Sequence, residues 1–338
     1  MSHLDKFTST LSFKQLNYFL ALADHGSISA AANALNMAQP SLSENIAKLE
    51  KQFEAQLVIR GARGVQMTEA GMALVRRSRE ILRNFGEMVE EIRQISGEPR
   101  GPVSIGLPPS LSILLSVPLL ETVHNEHPLI RLHIAEAMSG DILEWIAEDR
   151  LDLGCVYEVT EAAPCNFQPF LTEELFLVSA PDNWPGKVDA DGMALEPITA
   201  SKLAELPLVL TSPAHGARKL QEKFARSIGV HLNVVAEIDS LPHIVEMVSR
   251  ASAYTILSHG AVIKQVAAGA LVLVPIEEPT IRRTAYMARA RARPATRAGV
   301  IVEEHLTLIL REMVERYKLR ATLPDRFEPE VSKAEADE

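Results

Sequence analysis

Between Ser12 and Phe53 the chain carries three helical patterns separated by breaks of only a few residues, and this spacing constrains the fold more than any other feature. The first, SFKQLNYFLALADH, puts Leu16, Phe19, Leu20 and Ala23 on one stripe, offers Ser12 as an N-cap and stops at Gly26. Ser27 caps the second, SISAAANALN, whose small residues let another helix approach closely. Asn36-Met37-Ala38 makes the turn. The third, QPSLSENIAKLEKQF, tolerates Pro40 in its first turn and sends Leu42, Ile46, Leu49 and Phe53 inward. Gln39, Ser41, Ser43, Asn45 and Lys48 occupy its more polar sides. A short helix, a tight turn and a second helix of this size predict a helix-turn-helix, whose second helix enters a DNA major groove.

Leu57-Val58-Ile59 then reads as a strand and Val65-Gln66-Met67 as its return, with a turn from Gly61 to Gly64 and with Arg60 and Arg63 alongside. That is a wing, a small hairpin able to set two arginines against phosphate or the minor groove. Thr68 caps the next helix, although Gly71 at the third helical position leaves the capping box incomplete. One long helix is predicted from Glu69 to Ile95, ~40 Å at ~1.5 Å per residue. Leu74, Ile81, Met88 and Ile95 recur every seven residues, Phe85 and Ile92 fill the intermediate position, and Ser78 is the polar break in that second series. The pattern predicts a coiled-coil seam that pairs the helix with its copy. Arg76, Arg77, Arg79 and Arg83 on this helix read as solvated charges. The run SGEPRGP from Ser96 marks a boundary.

Beyond it, strand and helix alternate. Strands are expected at Val103–Leu107, Ile130–Ala137, Leu151–Tyr157, Phe170–Ala180, Pro207–Leu210, Leu232–Ile238, Ala253–Leu257 and Leu271–Ile276, the last followed by a segment at Arg282–Arg291. Helices are expected at Ser110–Glu126, Gly140–Asp149 and Ala298–Tyr317, covering a largely parallel sheet. Charge divides along the same boundary. Residues 1–100 hold 12 Lys/Arg against 11 Asp/Glu, while the rest holds 22 against 33, so the net charge of −10 belongs to the body and not to the head. Cys155 and Cys165 are too few for a disulfide framework and read as inert thiols in a reducing cytosol. No secretory h-region opens the chain, and no apolar run of ~18 residues predicts a membrane span.

Residues 12–95, and more loosely 103–317, resemble the LysR-type transcriptional regulators. The resemblance rests on F-x-Q-L-x-Y-F from Phe13, GSISAAANALNMAQPSLSENIAKLE from Gly26 and IRGARGVQMTEAG from Ile59. In the body it rests on VSIGLPPS, LDLGCVYE, ELPLVLTSPAHGAR and AEIDSLPHIVEMVSRASAYTIL, and it points towards the branch of nitrogen-assimilation-control and aromatic-catabolism regulators. It implies a multidomain α/β chain. A winged helix-turn-helix would span residues 1–68, a linker and dimerisation helix 69–96, and an effector domain 97–320, with a disordered tail over 321–338. The effector domain would have two subdomains like those of periplasmic binding proteins, with chain crossings near Glu158–Pro169 and Val266–Val272. The resemblance also implies a dimer of dimers in the cytoplasm, with double-stranded promoter DNA, a small-molecule effector and RNA polymerase as partners and no cofactor. Glu44 departs from the family's usual Arg or Gln, and Ala253 and Ser258 replace its Gly and Pro around the YTIL strand.

These readings give DNA contacts to Ser29, Gln39, Pro40, Ser41, Ser43, Lys48, Arg60 and Arg63. Gln39 faces a base edge, Pro40 or Ser41 a thymine methyl, and Ser43 and Lys48 the phosphates. Leu74, Ile81, Phe85, Met88 and Ile92 form the dimer seam. In the body, Ser110 is expected to cap the helix after the first strand, and Ser212, followed by Pro213, to cap its counterpart in the second subdomain. Ligands of such folds bind at the carboxyl ends of strands. A small anionic effector, a carboxylate, is therefore expected against Pro109, Ser110, Leu111, Thr211, Ser212, His215 and Arg218. Other chemistry is poorly represented. His124 and His127 are spaced H-x-x-H but have no third ligand nearby in sequence, so no metal site is expected. Ser212 and His215 lack the carboxylate of a hydrolase triad, and no Walker A or Rossmann glycine pattern occurs.

Overall fold

The computed structural model describes residues 11–61, 64–94, 98–160, 162–213 and 215–324. The chain divides into two compact units, residues 1–97 and 98–338.

In the first unit, α1 (Phe13–His25) begins with a complete capping box. Ser12 Oγ accepts from the Gln15 N–H, and the Gln15 side chain accepts from the Ser12 N–H. Ser27 Oγ caps α2 (Ile28–Ala34) by accepting from the Ala30 N–H, and α3 (Gln39–Phe53) starts with Pro40 in its first turn. Phe19, Leu22, Ala31, Ala32, Leu42, Ile46 and Leu49 are buried together, the alanines allowing the close helix approach that the sequence requires. The wing pairs β1 (Val58–Gly61) with β2 (Gly64–Met67). It is stitched to the helical turn where the Val65 N–H donates to the Gly26 carbonyl over 2.8 Å. Gly64, at φ 114°, has no room for a side chain there, since a Cβ would lie 2.5 Å from that carbonyl oxygen.

Helix α4 (Glu69–Gln94) follows, with Thr68 Oγ1 accepting from the Gly71 N–H as expected. Its first turns belong to the head. Val75 and Ser78 are buried and Leu74 packs on the same core, so Ser78 faces inward. Further along, Ile81, Phe85 and Met88 are exposed on one stripe, and the Phe85 ring lies 4.6 Å from that of Phe13. The side chain of Ile92 and all of Ile95 lie outside the described residues.

The second unit begins with β3 (Gly101–Leu107), α5 (Pro109–Glu126), β4 (Ile130–Glu136), α6 (Ser139–Ala147) and β5 (Leu153–Val156). Next come β6 (Cys165–Ser179), β7 (Ile198–Thr199), β8 (Leu208–Leu210), α7 (Gly216–Ser227), β9 (Val234–Glu237), α8 (Leu241–Ser249) and β10 (Thr255–Ser258). The unit closes with α9 (Ile263–Ala267), β11 (Val272–Glu277), β12 (Arg282–Ala290), α10 (Arg297–Arg316) and β13 (Ala321–Thr322). β3 pairs in parallel with β4 and β5, and β8 with β9, whereas β12 runs antiparallel between β5 and β6. The architecture is therefore α/β as expected, but the sheet is mixed rather than largely parallel.

Among the described residues of this unit, one buried cluster lies where α5 and α10 cover β3, β5 and the proximal half of β6, and another among β8, β10, β11 and the distal half of β6; smaller clusters lie under α8 and α6. The crossings differ from expectation. β6 pairs with β12 from Cys165 to Glu174, then with β10 and β11 from Leu175 to Ser179. The first crossing is thus inside a continuous strand, not at Glu158–Pro169. The second lies at residues 278–281, between β11 and β12, not at Val266–Val272. A strand that changes sheet by changing partners needs no turn residue, so the sequence carries no punctuation for it. Ala321 and Thr322, expected in the tail, instead pair with Glu173 and Thr172. Residues 325–338 lie outside the described residues.

Candidate functional site

The head presents Ser29, Gln39, Pro40 and Ser41 to solvent at the N-terminal ends of α2 and α3. Ala38 gives α3 no side-chain cap, and Asn45 Nδ2 donates to the Ser41 carbonyl over 2.8 Å. Ser43 is half-buried and accepts from Arg60 Nη1 over 3.1 Å, so it orients a wing arginine as well as facing outward. Lys48 pairs with Glu44 at 2.8 Å, one helical turn away. The hydrogen bond and charge of Lys48 hold the Glu44 carboxyl below its ordinary value. Arg63 lies outside the described residues. On α4, Arg77 pairs with Glu80 and Arg79 with Asp24 of α1, which ties these cations to the protein's own acids.

In the second unit a cleft of about 470 Å³ opens between the two subdomains, a volume ordinary for a small-molecule site. Helices α5, α6, α7 and α8 all begin at its wall, through Pro109–Ser110, Ser139, Gly216–Ala217 and Leu241–Pro242. None of the four has a side-chain cap. Their first-turn N–H groups and positive dipole ends therefore converge on one space. Lys219 and Lys223 line it from α7, Leu220, Ile244 and Leu257 supply apolar wall, and Thr211 Oγ1 is buried without a hydrogen-bond partner among the described residues. Native acids are present too. Glu158 reaches the first residue of α7, where a Cβ on Gly216 would meet its Oε1 at 2.6 Å. Asp239 accepts from the Ser212 N–H over 2.7 Å, a bond that holds its carboxyl below the ordinary value.

At the cleft's base, where both crossings pass, Arg283 donates from Nε to Glu173 at 2.8 Å and from Nη2 to Ser110 at 3.0 Å and Ser258 at 3.1 Å. Its guanidinium lies 3.9 Å from the centre of the Tyr157 ring, and Tyr157 donates to Glu173 over 2.8 Å. Burial pulls the Arg283 pKa down, but Tyr157 and Glu173 outweigh it and the net shift is upward. Burial pushes the Tyr157 phenol up, which keeps it a donor.

Pro109, Ser110, Thr211 and His215 therefore line the cleft. The capping roles are corrected. Pro108 is the N-cap of α5, which leaves Ser110 inside the helix and its hydroxyl in the Arg283–Tyr157 network. α7 starts at Gly216 behind His215, so Ser212 caps nothing and serves Asp239 through its N–H. Leu111 is in the core, and Arg218 is buried against Glu222, Glu237 and the Thr211 carbonyl; neither lines the cleft. Glu158, Lys219, Asp239 and Arg283 were missed. Lys219 was the most legible, one turn after a helix start, whereas Arg283 reaches the cleft through the pairing of β12 with β6, which no local sequence signal marks. Cys155 and Cys165 are buried, and burial raises both thiol pKa values, as expected of inert cysteines.

Comparison with known proteins places this geometry. Residues 13–72 match the model of the bacterial regulatory helix-turn-helix protein, lysR family, and residues 96–306 match the LysR substrate binding domain. The chain is 29% identical over 313 residues to the nitrogen assimilation regulatory protein nac of Klebsiella aerogenes, covering 92% of this chain and 99% of that one. Among solved structures it is similar to full-length OxyR from Pseudomonas aeruginosa, with a TM-score of 0.67 at 21% identity over 89% of this chain and 95% of the other. Full-length CbnR complexed with its target DNA gives 0.61 at 16% identity, over 90% and 100% of the two chains.

Proposed function

The chain belongs to the LysR family of DNA-binding transcriptional regulators, and on that footing we propose that it binds promoter DNA as an oligomer under the control of a small anionic metabolite. In this reading α3 enters the major groove with Gln39 towards base edges, Pro40 or Ser41 against a thymine methyl, and Arg60 and Arg63 at the backbone. Ser29, Ser43 and Lys48 add phosphate contacts, Lys48 by exchanging Glu44 for a phosphate. Of the expected seam, Leu74 packs on the head's own core, and the exposed Ile81, Phe85 and Met88, with Ile92, form the dimer seam; two such dimers make the tetramer. The site of action is the cytoplasm, with RNA polymerase as a further partner.

The observation that carries the effector reading is the convergence of four uncapped helix N-termini on one cleft. Helix N-termini favour negative charge by dipole and by free N–H groups together. Thr211 and Ser110 offer hydroxyls, and Lys219, Lys223 and His215 offer cationic or polar contacts. Thermal shift of the full-length protein against a panel of carboxylates, neutral sugars and amines tests this. A carboxylate raises the melting temperature and alters operator binding. Stabilisation by neutral or cationic compounds alone contradicts the anionic effector.

A further inference from the structure

At the C-terminal end of α5, the end away from the cleft, two imidazoles and a carboxylate meet. Nε2 of His127, the residue that closes α5, lies 3.0 Å from Nε2 of His305 on α10, 178 residues away. Glu126 Oε2 lies 3.7 Å from the same His305 nitrogen, and the three donor atoms are within 4.8 Å of one another. The rings are tilted by 52° with centroids 5.1 Å apart, so they meet at their nitrogens and are not stacked. The two supporting helices are fixed by one core, in which Leu119 and Val123 of α5 are buried with Leu306, Ile309 and Leu310 of α10. The imidazoles are half-buried and the carboxylate is exposed, which leaves a route from solvent. The spacing of His124 and His127 is not the relevant one. The missing partner comes from the other end of the domain.

We propose that Glu126, His127 and His305 bind a divalent cation of the zinc class. Two neutral imidazoles facing each other satisfy one lone pair with one N–H, whereas a cation takes both lone pairs and a carboxylate oxygen at once. Imidazole nitrogens ~2.1 Å from a tetrahedral zinc ion stand ~3.4 Å apart, so the rings need open by only a few tenths of an ångström. A donor set of two nitrogens and one oxygen suits zinc or cobalt and not calcium or magnesium, which take oxygen ligands. Water completes the coordination. The ion fastens α5 to α10 at the end opposite the cleft.

Full-length protein stripped with a chelator and dialysed is titrated with Zn²⁺ by calorimetry, and with Co²⁺ by visible absorption. The site predicts one equivalent of tight zinc per chain and the strong visible bands of tetrahedral cobalt, which zinc abolishes. Losing a ligand should exceed the effect of losing an outer-shell partner, so His127→Gln and His305→Gln weaken zinc by more than about 100-fold. Glu126→Gln, which keeps a neutral carbonyl oxygen as donor, weakens it less than either histidine change, and His124→Gln leaves it unchanged. The cobalt spectrum of the parent decides the matter even where a variant folds poorly. Weak octahedral cobalt bands, uptake below one equivalent, or zinc binding undiminished in a folded His305→Gln variant overturns the proposal and leaves a plain His–His hydrogen bond.

Discussion

Arg283 of β12 and Glu173 of β6 face each other at 2.8 Å, next to the two passages of the chain between its subdomains, and both side chains are nearly excluded from solvent. Each is the other's counterion, and Tyr157, Ser110 and Ser258 complete the hydrogen bonding. Removing one member strands a buried charge, which costs about 3–5 kcal/mol. Arg283→Met should therefore lower the unfolding free energy in urea by that amount. The double variant with Glu173→Leu should lose less than the two singles together, because no lone charge remains. Additive losses would mean that the pair is not coupled.

Gly71 tests a rule of sequence against a contact. Thr68 with Glu or Gln three residues later would complete a capping box and stabilise α4. A Cβ at Gly71, however, would meet the Leu57 carbonyl oxygen at 2.1 Å. Gly71→Ala and Gly71→Glu should both destabilise the head, by about 1–3 kcal/mol as for other overpacked sites. A higher melting temperature in Gly71→Glu would contradict the contact.

The exposed stripe on α4 has a consequence for assembly. Ile81→Asp would place a charge in the proposed seam, where it has no partner and is costly to desolvate. The variant should sediment at a lower mass than the parent and lose preference for DNA with two half-sites, while its far-ultraviolet circular dichroism is kept. Unchanged mass and binding would remove the seam from the account.

The head was legible almost residue by residue, because its signals are local. Ser12, Ser27 and Thr68 cap where they stand, Gly26 ends α1, and apolar spacing alone places Leu42, Ile46 and Leu49. The body was legible as alternating elements but not as a site. Pro108-Pro109-Ser110 and Ser212-Pro213 look alike in sequence, yet α5 starts at once and α7 only at Gly216. Nothing local marks the change of partners within β6 that sets Glu173 opposite Arg283, nor the packing that carries His305 to His127. These are long-range consequences of topology, and hydrophobic periodicity does not encode them.

In the proposed function α3 reads base sequence while the basic wing supplies attraction common to all DNA. Fluorescence anisotropy with an operator captured from genomic fragments and with random duplex, titrated across salt, separates the two for the parent and for Gln39→Ala. Loss of a base contact costs about 1–3 kcal/mol of discrimination, or roughly 5- to 150-fold. Phosphate contacts set the slope of affinity against salt. Gln39→Ala should therefore lower operator affinity by a factor in that range while random-duplex affinity and the salt slope stay at the parent's values. Equal affinities of parent and variant for the operator, or an equal fractional loss on both duplexes, would contradict sequence reading by this helix.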